Sequence, residues 1–338
     1  MPSVRVRVAH HRHWDAVILL QLGGPETLDD IEPFLAELLS DPNVIQLPLL
    51  VKPFQRTLGK TIARRRVDLV RPRYEQIGGG NGAASPILRH TNAQASALAA
   101  KLETPVYVAM RCSPPRADAV VQLLKQQRAR RVLLIPLYPH WAASTTGSAL
   151  EDFARACKDA SYKPELHYIR AWGADPAYIE LLAQTCLEAA LDPASTHLLL
   201  SPHSLPEKYI LRGDPYRHEV EETQRLLQER LGNRFASVRL GFQSAVGPVT
   251  WIGPTTDDQL SAIISSGAQQ VALCPLGFVS DHIETLYDLD VLYRKQAEQH
   301  GLTVHRVRAF NDDPRFIEVL VGLTQGPTQV LEAAAWKR

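Results

Sequence analysis

A sixteen-residue segment occurs twice in this 338-residue chain, and this repeat limits the possible folds more than any other feature of the sequence. Residues 167–182 (HYIRAWGADPAYIELL) align without a gap on residues 305–320 (HRVRAFNDDPRFIEVL), with eight identical positions. Upstream, VLLIPLYPHW at 132–141 aligns on VALCPLGFVS at 271–280 at nearly the same offset. Self-similarity at one long offset indicates two halves of like topology. We therefore predict an internal duplication, with a cleft between the halves.

Apolar, strand-like runs alternate with helix-like patterns along both halves. The strand-like runs lie at 16–22, 105–110, 132–137, 167–171, 197–201, 238–242, 271–275 and 304–307. Strands separated by helices indicate βαβ units and parallel pairing. We predict an α/β fold of two domains, each with a mostly parallel four-stranded sheet flanked by helices. We place the domains at 1–160 and 161–338, with a last helix at about 315–338 that packs back on the first domain.

Composition excludes several classes of protein. Lys plus Arg total 37 and Asp plus Glu total 36, so bulk charge does not favour a nucleic-acid partner. The four cysteines form no CxxC cluster, which favours reduced thiols in a cytosolic protein. The basic N-terminus lacks the apolar core of a secretory signal, and no apolar run reaches the ~18 residues of a membrane-spanning helix. We therefore predict a cytoplasmic protein without a nucleic-acid partner.

An acidic cluster follows the strand-like run at 271–275. The sequence GFVSDHIETLYD at 277–288 predicts a helix from Asp281 onward, which places Asp281, Glu284 and Asp288 on one face with His282 beside them. Open α/β sheets bind ligands at the carboxyl ends of their strands. Asp281-x-x-Glu284 is also the pattern of a capping box. We expect Asp281 to cap the helix while Glu284 points into the cleft.

Other predicted strand ends carry aromatic, hydroxyl and basic side chains. They are Arg111, Tyr138, Trp141 and Ser144 in the first half, with His203, Trp251 and Phe278 in the second. If the halves are related, these ends face one cleft, which suits a large flat apolar ligand with anionic groups, plus a cation. Each residue also has an ordinary structural interpretation. His203 could bond to a backbone carbonyl, the aromatics could belong to the core, and Arg111 could pair with a nearby acid.

Five segments, in order, resemble the ferrochelatase family over residues 16–320. They are LGGPETLDDIEPFLAELLSDPNVIQLP (22–48), PLYPHWAASTTGS (136–148), SPHSLPEKYILRGDPY (201–216), GFQSAVGPVTWIGP (241–254) and GFVSDHIETLYDLD (277–290). The resemblance implies two Rossmann-like domains around a porphyrin cleft. It also implies insertion of Fe²⁺ into protoporphyrin IX with loss of two protons, the last step of heme synthesis.

The resemblance assigns roles to the residues of the predicted cleft. His203 matches a histidine that accepts a pyrrole proton or ligates the metal, and Glu284 matches a glutamate opposite it that binds Fe²⁺ or carries protons. Asp281, His282 and Asp288 match the acidic relay positions behind Glu284, and we include them with His203 and Glu284 among the candidate metal-binding residues. The porphyrin-binding positions are Arg111, near the propionates, and Tyr138, Trp141, Ser144, Trp251 and Phe278.

Three departures from the family pattern stand in the first half. The usual Arg-Tyr is Arg111-Cys112 here, and the usual Pro-Gln-Tyr-Ser is Pro139-His140-Trp141-Ala142, so porphyrin contacts at these positions are open. Ala143 stands where cluster-bearing relatives have cysteine, and no cysteine-rich tail precedes Arg338. We therefore expect no iron–sulfur cluster and no required cofactor, since Fe²⁺ is a substrate.

Residues 44–80 match the family's lip over the cleft mouth, where an apolar edge adjoins the basic run Arg64-Arg65-Arg66. Two interpretations stay open for this lip: peripheral contact with the inner face of an anionic membrane, or an ordinary amphipathic cover with a solvated basic end. Two further functions also stay open beside protoporphyrin metallation. One is iron insertion into coproporphyrin or cobalt insertion into a related ring, and the other is a two-lobed binding protein without chemistry.

Overall fold

Two mostly parallel sheets form the framework of the chain. The computed structural model describes residues 13–47, 50–78, 84–247 and 249–331. The first sheet has the strand order β2-β1-β3-β4-β9, and the second has the order β6-β5-β7-β8. The strands are β1 Ala16–Gln21, β2 Val106–Met110, β3 Arg131–Pro136, β4 Glu165–Tyr168, β5 Thr196–Leu200, β6 Ser237–Leu240, β7 Gln270–Cys274, β8 Thr303–Arg306 and β9 Gln329–Val330.

Helices separate the strands along both halves. They are α1 Ile31–Ser40, α2 Gln55–Gly78, α3 Ile87–Leu102, α4 Ala117–Gln126, α5 Ser148–Asp159, α6 Pro176–Ala189, α7 Glu207–Leu211, α8 Tyr216–Leu231, α9 Thr256–Ser265, α10 Ile283–Leu286, α11 Arg294–Gln299 and α12 Pro314–Gln325. Two π-helical stretches, Ala143–Gly147 and Asp288–Tyr293, precede α5 and α11.

The central strands are buried because helices cover both faces of each sheet. All six residues of β1 are buried, as continuous apolar runs in parallel sheets require. In each half the first strand in the chain lies between the next two: β1 between β2 and β3, and β5 between β6 and β7. One apolar core contains Leu19 and Leu133 of the first sheet together with Leu200 and Cys274 of the second. The two halves therefore share buried surface.

The predicted α/β fold with two similar halves is confirmed, but the strand count of the first sheet is wrong. Its fifth strand, β9, pairs antiparallel with β4, with His167 opposite Val330. The last described helix, α12, ends at Gln325. Gly326 follows it, as is common after a helix, and Pro327 lacks the backbone N–H that a further helical turn would need. Residues 332–338 of the predicted last helix lie outside the described residues.

Helix α12 also contacts the first half of the chain. Lys101 of α3 pairs with Glu318 at 2.5 Å, and the Trp14 indole donates to the carbonyl of Thr324. Within the described ranges, no helix is long and apolar enough to cross a membrane. Helix α2 occupies most of the predicted lip, of which residues 48–49 and 79–80 lie outside the described residues.

Candidate functional site

His203 and Glu284 face each other at the carboxyl ends of β5 and β7. The Nδ1–H of His203 donates to the carbonyl of Ser204, which turns Nε2 toward the carboxylate. His203 Nε2 lies 3.4 Å from Glu284 Oε1, and the two side chains are 35 % and 27 % exposed. Because β5 and β7 are neighbouring parallel strands, their ends meet at the same edge of the sheet, as the sequence indicated.

Backbone contacts hold this pair in place. The Tyr216 hydroxyl donates to the carbonyl of His203 at 2.8 Å. Gln243 forms a parallel bridge with His203, and its side-chain amide donates to the carbonyl of Glu284 at 3.1 Å. Gln243 therefore links the two loops that carry the pair. Tyr216 is the last residue of the SPHSLPEKYILRGDPY segment, but nothing in the sequence showed where its hydroxyl points.

The pair shares a proton. Burial alone would lower the pKa of His203, but the Glu284 carboxylate and the bond to Ser204 raise it to about 9. Burial would raise the pKa of Glu284, and the His203 imidazolium more than offsets this, so that pKa is lowered. At neutral pH the pair is therefore an imidazolium beside a carboxylate. This pKa lies above the ordinary histidine value near 6.5.

The charge of Glu284 acts on the carboxyl of Asp288. Burial and the Glu284 charge raise the pKa of Asp288 to about 6, although Ser244, Arg73 and His203 act against the shift. The Ser244 hydroxyl donates to Asp288 Oδ2 at 3.1 Å from a left-handed backbone conformation, with φ of 65°. The carboxyl of Asp288 can therefore exchange protons near neutral pH.

Asp281 does not cap the helix, so that prediction is wrong. Its carboxylate accepts hydrogen bonds from Arg306 (2.9 Å), Asn311 (2.8 Å) and the Thr285 hydroxyl (2.8 Å). Arg306 and Asn311 hold Asp281 before α10, so the helix begins one residue later than a cap at Asp281 would require, with His282 as the N-cap residue. Burial raises and these partners lower the pKa of Asp281, with a net lowering.

His282 packs against an aromatic side chain. Its ring meets Phe278 edge-on at a centroid distance of 4.9 Å, and its buried Nδ1 has no hydrogen-bond partner. Burial lowers the pKa of His282, partly offset by Glu284 and Asp281. The imidazole is therefore neutral.

Within the described residues, no group of three or more His, Cys, Asp or Glu side chains is arranged to hold a metal ion. At the edge of the second sheet, His203 and Glu284 offer a nitrogen and an oxygen donor side by side. Such a pair suits a borderline cation such as Fe²⁺ and leaves most of its coordination open. The arrangement fits an ion that passes on to another ligand.

The aromatic residues predicted to bind the porphyrin lie in both halves of the chain. Trp251 lies beside His203, with ring centroids 6.2 Å apart, and its indole donates to Val246 O. Phe278 lies beside His282. In the first half, Tyr138 and Trp141 pack on a core of that half, and Arg170 stacks over Trp141 at 5.3 Å.

Tyr138 and Ser144 also pack into the first half of the chain. Burial raises the pKa of Tyr138 well above its usual value, and its hydroxyl has no hydrogen-bond partner among the described atoms. Ser144 is buried in the π-helical stretch Ala143–Gly147.

Arg111 is engaged by an acid that the sequence did not point to. Its Nη2 pairs with Asp41 at 2.8 Å, and its Nε donates to the Ser148 hydroxyl at 2.7 Å. Asp41 is 1 % exposed and Arg111 is 14 % exposed at the side chain. Both line a polar cavity of about 790 Å³ whose other walls include Lys52, Arg56 and Arg116.

Helix α2 covers the acidic end of the site. Tyr74 is 3 % exposed, and burial and the Glu284 charge raise its pKa. The Arg73 guanidinium lies 5.2 Å from the centroid of the Tyr287 ring. Neither residue was assigned from the sequence, because α2 reads as a basic surface helix and its contacts with the second half are long-range.

Known proteins resemble this chain in sequence and in fold. A family model described as Ferrochelatase matches residues 14–327. The ferrochelatase of Geotalea daltonii is 39 % identical over 92 % of this chain and 97 % of its own length. That of Synechococcus sp. (strain JA-3-3Ab) is 40 % identical over 91 % of this chain and 92 % of its own. The structure of SirB from Bacillus subtilis with Fe³⁺ superimposes with a TM-score of 0.58 at 12 % identity, covering 92 % of this chain and 94 % of SirB, which shows a shared fold.

Proposed function

The chain belongs to the ferrochelatase family, and from this premise we propose that it inserts Fe²⁺ into protoporphyrin IX at the His203–Glu284 pair. It is a heme-synthesis enzyme, a lyase that inserts a metal into a porphyrin, so the alternative of a binding protein without chemistry is set aside. The observation that carries the proposal is the 3.4 Å separation of His203 Nε2 and Glu284 Oε1 at the shared sheet edge.

Metallation requires the two pyrrole N–H protons to leave as Fe²⁺ forms its bonds to the ring nitrogens. We assign the carboxylate of Glu284 to receive the ion, because its lowered pKa keeps it ionised. A dication at Glu284 weakens the attraction that holds the proton on His203, so the imidazole releases that proton to solvent. It can then accept the two pyrrole protons in turn, releasing the first before it takes the second. Asp288, with a pKa of about 6, can pass protons to solvent.

The apolar side chains beside the pair define where the ring would lie. Trp251 is next to His203 and Phe278 is next to His282, so a planar ring against both would have its nitrogens near the His203–Glu284 pair. Tyr138, Trp141 and Ser144 stay candidates for the wall in the first half. Arg111 retains only Nη1 without a described partner, and we assign that group to a propionate.

The substrate and the metal are tested together by an anaerobic assay with protoporphyrin and coproporphyrin, each offered Fe²⁺, Co²⁺ and Zn²⁺. We expect Fe²⁺ and protoporphyrin to give the highest kcat/KM, because coproporphyrin carries more carboxylates and Arg111 is largely committed to Asp41. A preference for coproporphyrin or for Co²⁺ would select the corresponding alternative within the superfamily.

We also propose that the enzyme works without a cofactor. Ala143 occupies the position of a cluster cysteine, and the four cysteines are all buried. Protein purified anaerobically should show no iron–sulfur absorption. It should metallate protoporphyrin on addition of Fe²⁺ alone. Loss of activity on chelation that Fe²⁺ does not restore would contradict this.

Peripheral membrane contact from the cytoplasmic side is a separate proposal. Leu50, Phe54 and Leu58 are 91 %, 64 % and 40 % exposed beside the exposed cations Lys52 and Arg56. Such an edge suits an anionic membrane, from which a poorly soluble porphyrin could enter.

Co-sedimentation with phosphatidylglycerol-containing vesicles tests the membrane contact. Phe54→Ser and the triple change of Arg64, Arg65 and Arg66 to Ser should each weaken binding. Leu191→Ser, at a residue 94 % exposed elsewhere, is the control. Unchanged binding in both lip variants would leave the amphipathic cover as the interpretation.

A further inference from the structure

The segment 139–143 after β3 crosses from the first half to the second. The Trp141 N–H donates to Glu219 Oε2 at 2.7 Å, and the Ala143 N–H donates to Asp214 Oδ2 at 2.8 Å. Both acceptors belong to α8 or the turn before it. The segment therefore lies along the beginning of α8, and it contains His140.

His140 is a neutral hydrogen-bond donor in this junction. It is 2 % exposed, and burial lowers its pKa to about 3. Its Nε2 lies 2.9 Å from the Thr223 hydroxyl, which itself donates to the carbonyl of Gly173 at 2.8 Å. The same hydroxyl lies 3.1 Å from the carbonyl of Glu219, and because its one proton serves these backbone carbonyls, the hydrogen between the two side chains belongs to Nε2.

The imidazole fits a slot formed by three separate segments. A Cβ at Gly173 would lie 2.6 Å from His140 Cδ2, and a Cβ at Gly277 would lie 3.3 Å from Nδ1. Gly277 also has a φ of +85°, which favours glycine. The edge of the Tyr216 ring meets the imidazole at a centroid distance of 6.0 Å and an interplanar angle of 87°.

Two of these segments lead directly to the proposed chemistry. Tyr216 donates its hydroxyl to the carbonyl of His203, and Gly277 precedes Phe278, which contacts His282. We propose that His140 is a positioning residue. It holds Tyr216 and the Gly277 turn, and through them His203 and Phe278, from across the junction between the halves. This rests on the proposed role of His203, and it assigns a function to a position where the chain departs from its family's usual glutamine.

Three variants separate positioning from ordinary core packing. His140→Ala should lower kcat by about 10- to 100-fold, the scale of a small misplacement of a reacting group, with little change in KM for porphyrin. His140→Gln should restore most of the turnover, because its amide can donate to Thr223. His167→Ala removes another buried histidine, 7 % exposed and in the first sheet, and should keep a wild-type kcat.

A double-mutant cycle tests the route through Tyr216. His140→Ala and Tyr216→Phe should be non-additive in kcat, so that the double variant is little slower than the slower single variant. Additive losses, or a wild-type kcat in His140→Ala, would overturn the inference. If His140→Ala does not fold, Thr223→Val removes the acceptor with little change in volume. A wild-type kcat in that variant would overturn the inference as well.

These experiments distinguish a failure of the positioning role from a failure of the proposed function. If the wild-type protein metallates no porphyrin, or if His203→Ala is fully active, the proposed function fails. If the wild type is active, His203→Ala is inactive and His140→Ala turns over normally, only the positioning role fails.

Discussion

His203 Nε2 and Glu284 Oε1 lie 3.4 Å apart although their loops follow different strands of the second sheet. The register of β5 against β7 places both strand ends at one edge, and the Gln243 amide bonds to the Glu284 backbone while its own backbone bridges His203. The resulting imidazolium–carboxylate pair stores one proton in the free enzyme. That proton must be displaced before His203 can act as a base.

The pKa of His203 should depend on Glu284. In Glu284→Gln the carboxylate that raises this pKa to about 9 is gone, whereas burial, which lowers it, remains. We therefore expect the pKa of His203 to fall well below 9 in the variant, where only the bond to Ser204 and the Asp288 charge still raise it. Histidine Cε1–H resonances followed by NMR against pH give this value directly. A His203 pKa near 9 in Glu284→Gln would show that another group holds the proton.

The same pair predicts how stability varies with pH. Because the pKa of His203 is higher in the folded state than its ordinary 6.5, its contribution is fully present below pH 6.5 and is lost as the pH rises through about 9. Urea unfolding of the wild type between pH 6 and 10 should therefore show a loss of unfolding free energy that is absent in Glu284→Gln. Parallel pH profiles for the two proteins would contradict this.

The buried pair of Asp41 and Arg111 should be a major contributor to stability. Asp41→Ala leaves the Arg111 guanidinium buried without its partner, for which the expected cost is about 3 to 5 kcal/mol of unfolding free energy. The control is Glu318→Ala. It breaks the exposed pair with Lys101 and should cost no more than about 1 kcal/mol. Equal effects in urea unfolding would mean that Arg111 finds another partner in the cavity.

Gly173 should not tolerate a methyl group. In Gly173→Ala the new Cβ would meet His140 and Thr223 at 2.6 and 2.8 Å, so we expect a loss of about 1 to 3 kcal/mol together with a lower kcat. Gly322→Ala is the matched control, because nothing lies within 4 Å of its Cβ position in α12. Since alanine has the higher helix propensity, the control should gain up to about 1 kcal/mol. Thermal unfolding and steady-state rates of both variants measure these effects.

The duplication and the eight long strands could be predicted because apolar periodicity is local. The two-residue strand β9 could not, since its pairing with β4 depends on a contact between the chain's end and its middle. The cap was misassigned for a similar reason: Arg306 and Asn311, distant in sequence, bind the carboxylate of Asp281.

Among the site residues, those within motifs could be predicted from the sequence, whereas their contacts with distant residues could not. The sequence pointed to His203 and Glu284 because motifs at strand ends carry them. It could not show that Asp41 engages Arg111, which lies in a separate segment, or that the Tyr216 hydroxyl turns back to the carbonyl of His203 within its own segment. His140 stood out only as a departure from the family pattern, and its contacts with α8 came from the structure.

Single-turnover Fe²⁺ insertion by His203→Ala, measured anaerobically beside porphyrin binding by fluorescence, tests the central claim most directly. We predict that protoporphyrin binds with near wild-type affinity while the insertion rate falls by at least about 100-fold, the contribution of a positioned acid–base group. A wild-type insertion rate in His203→Ala would contradict the assignment of the chemistry to the His203–Glu284 pair.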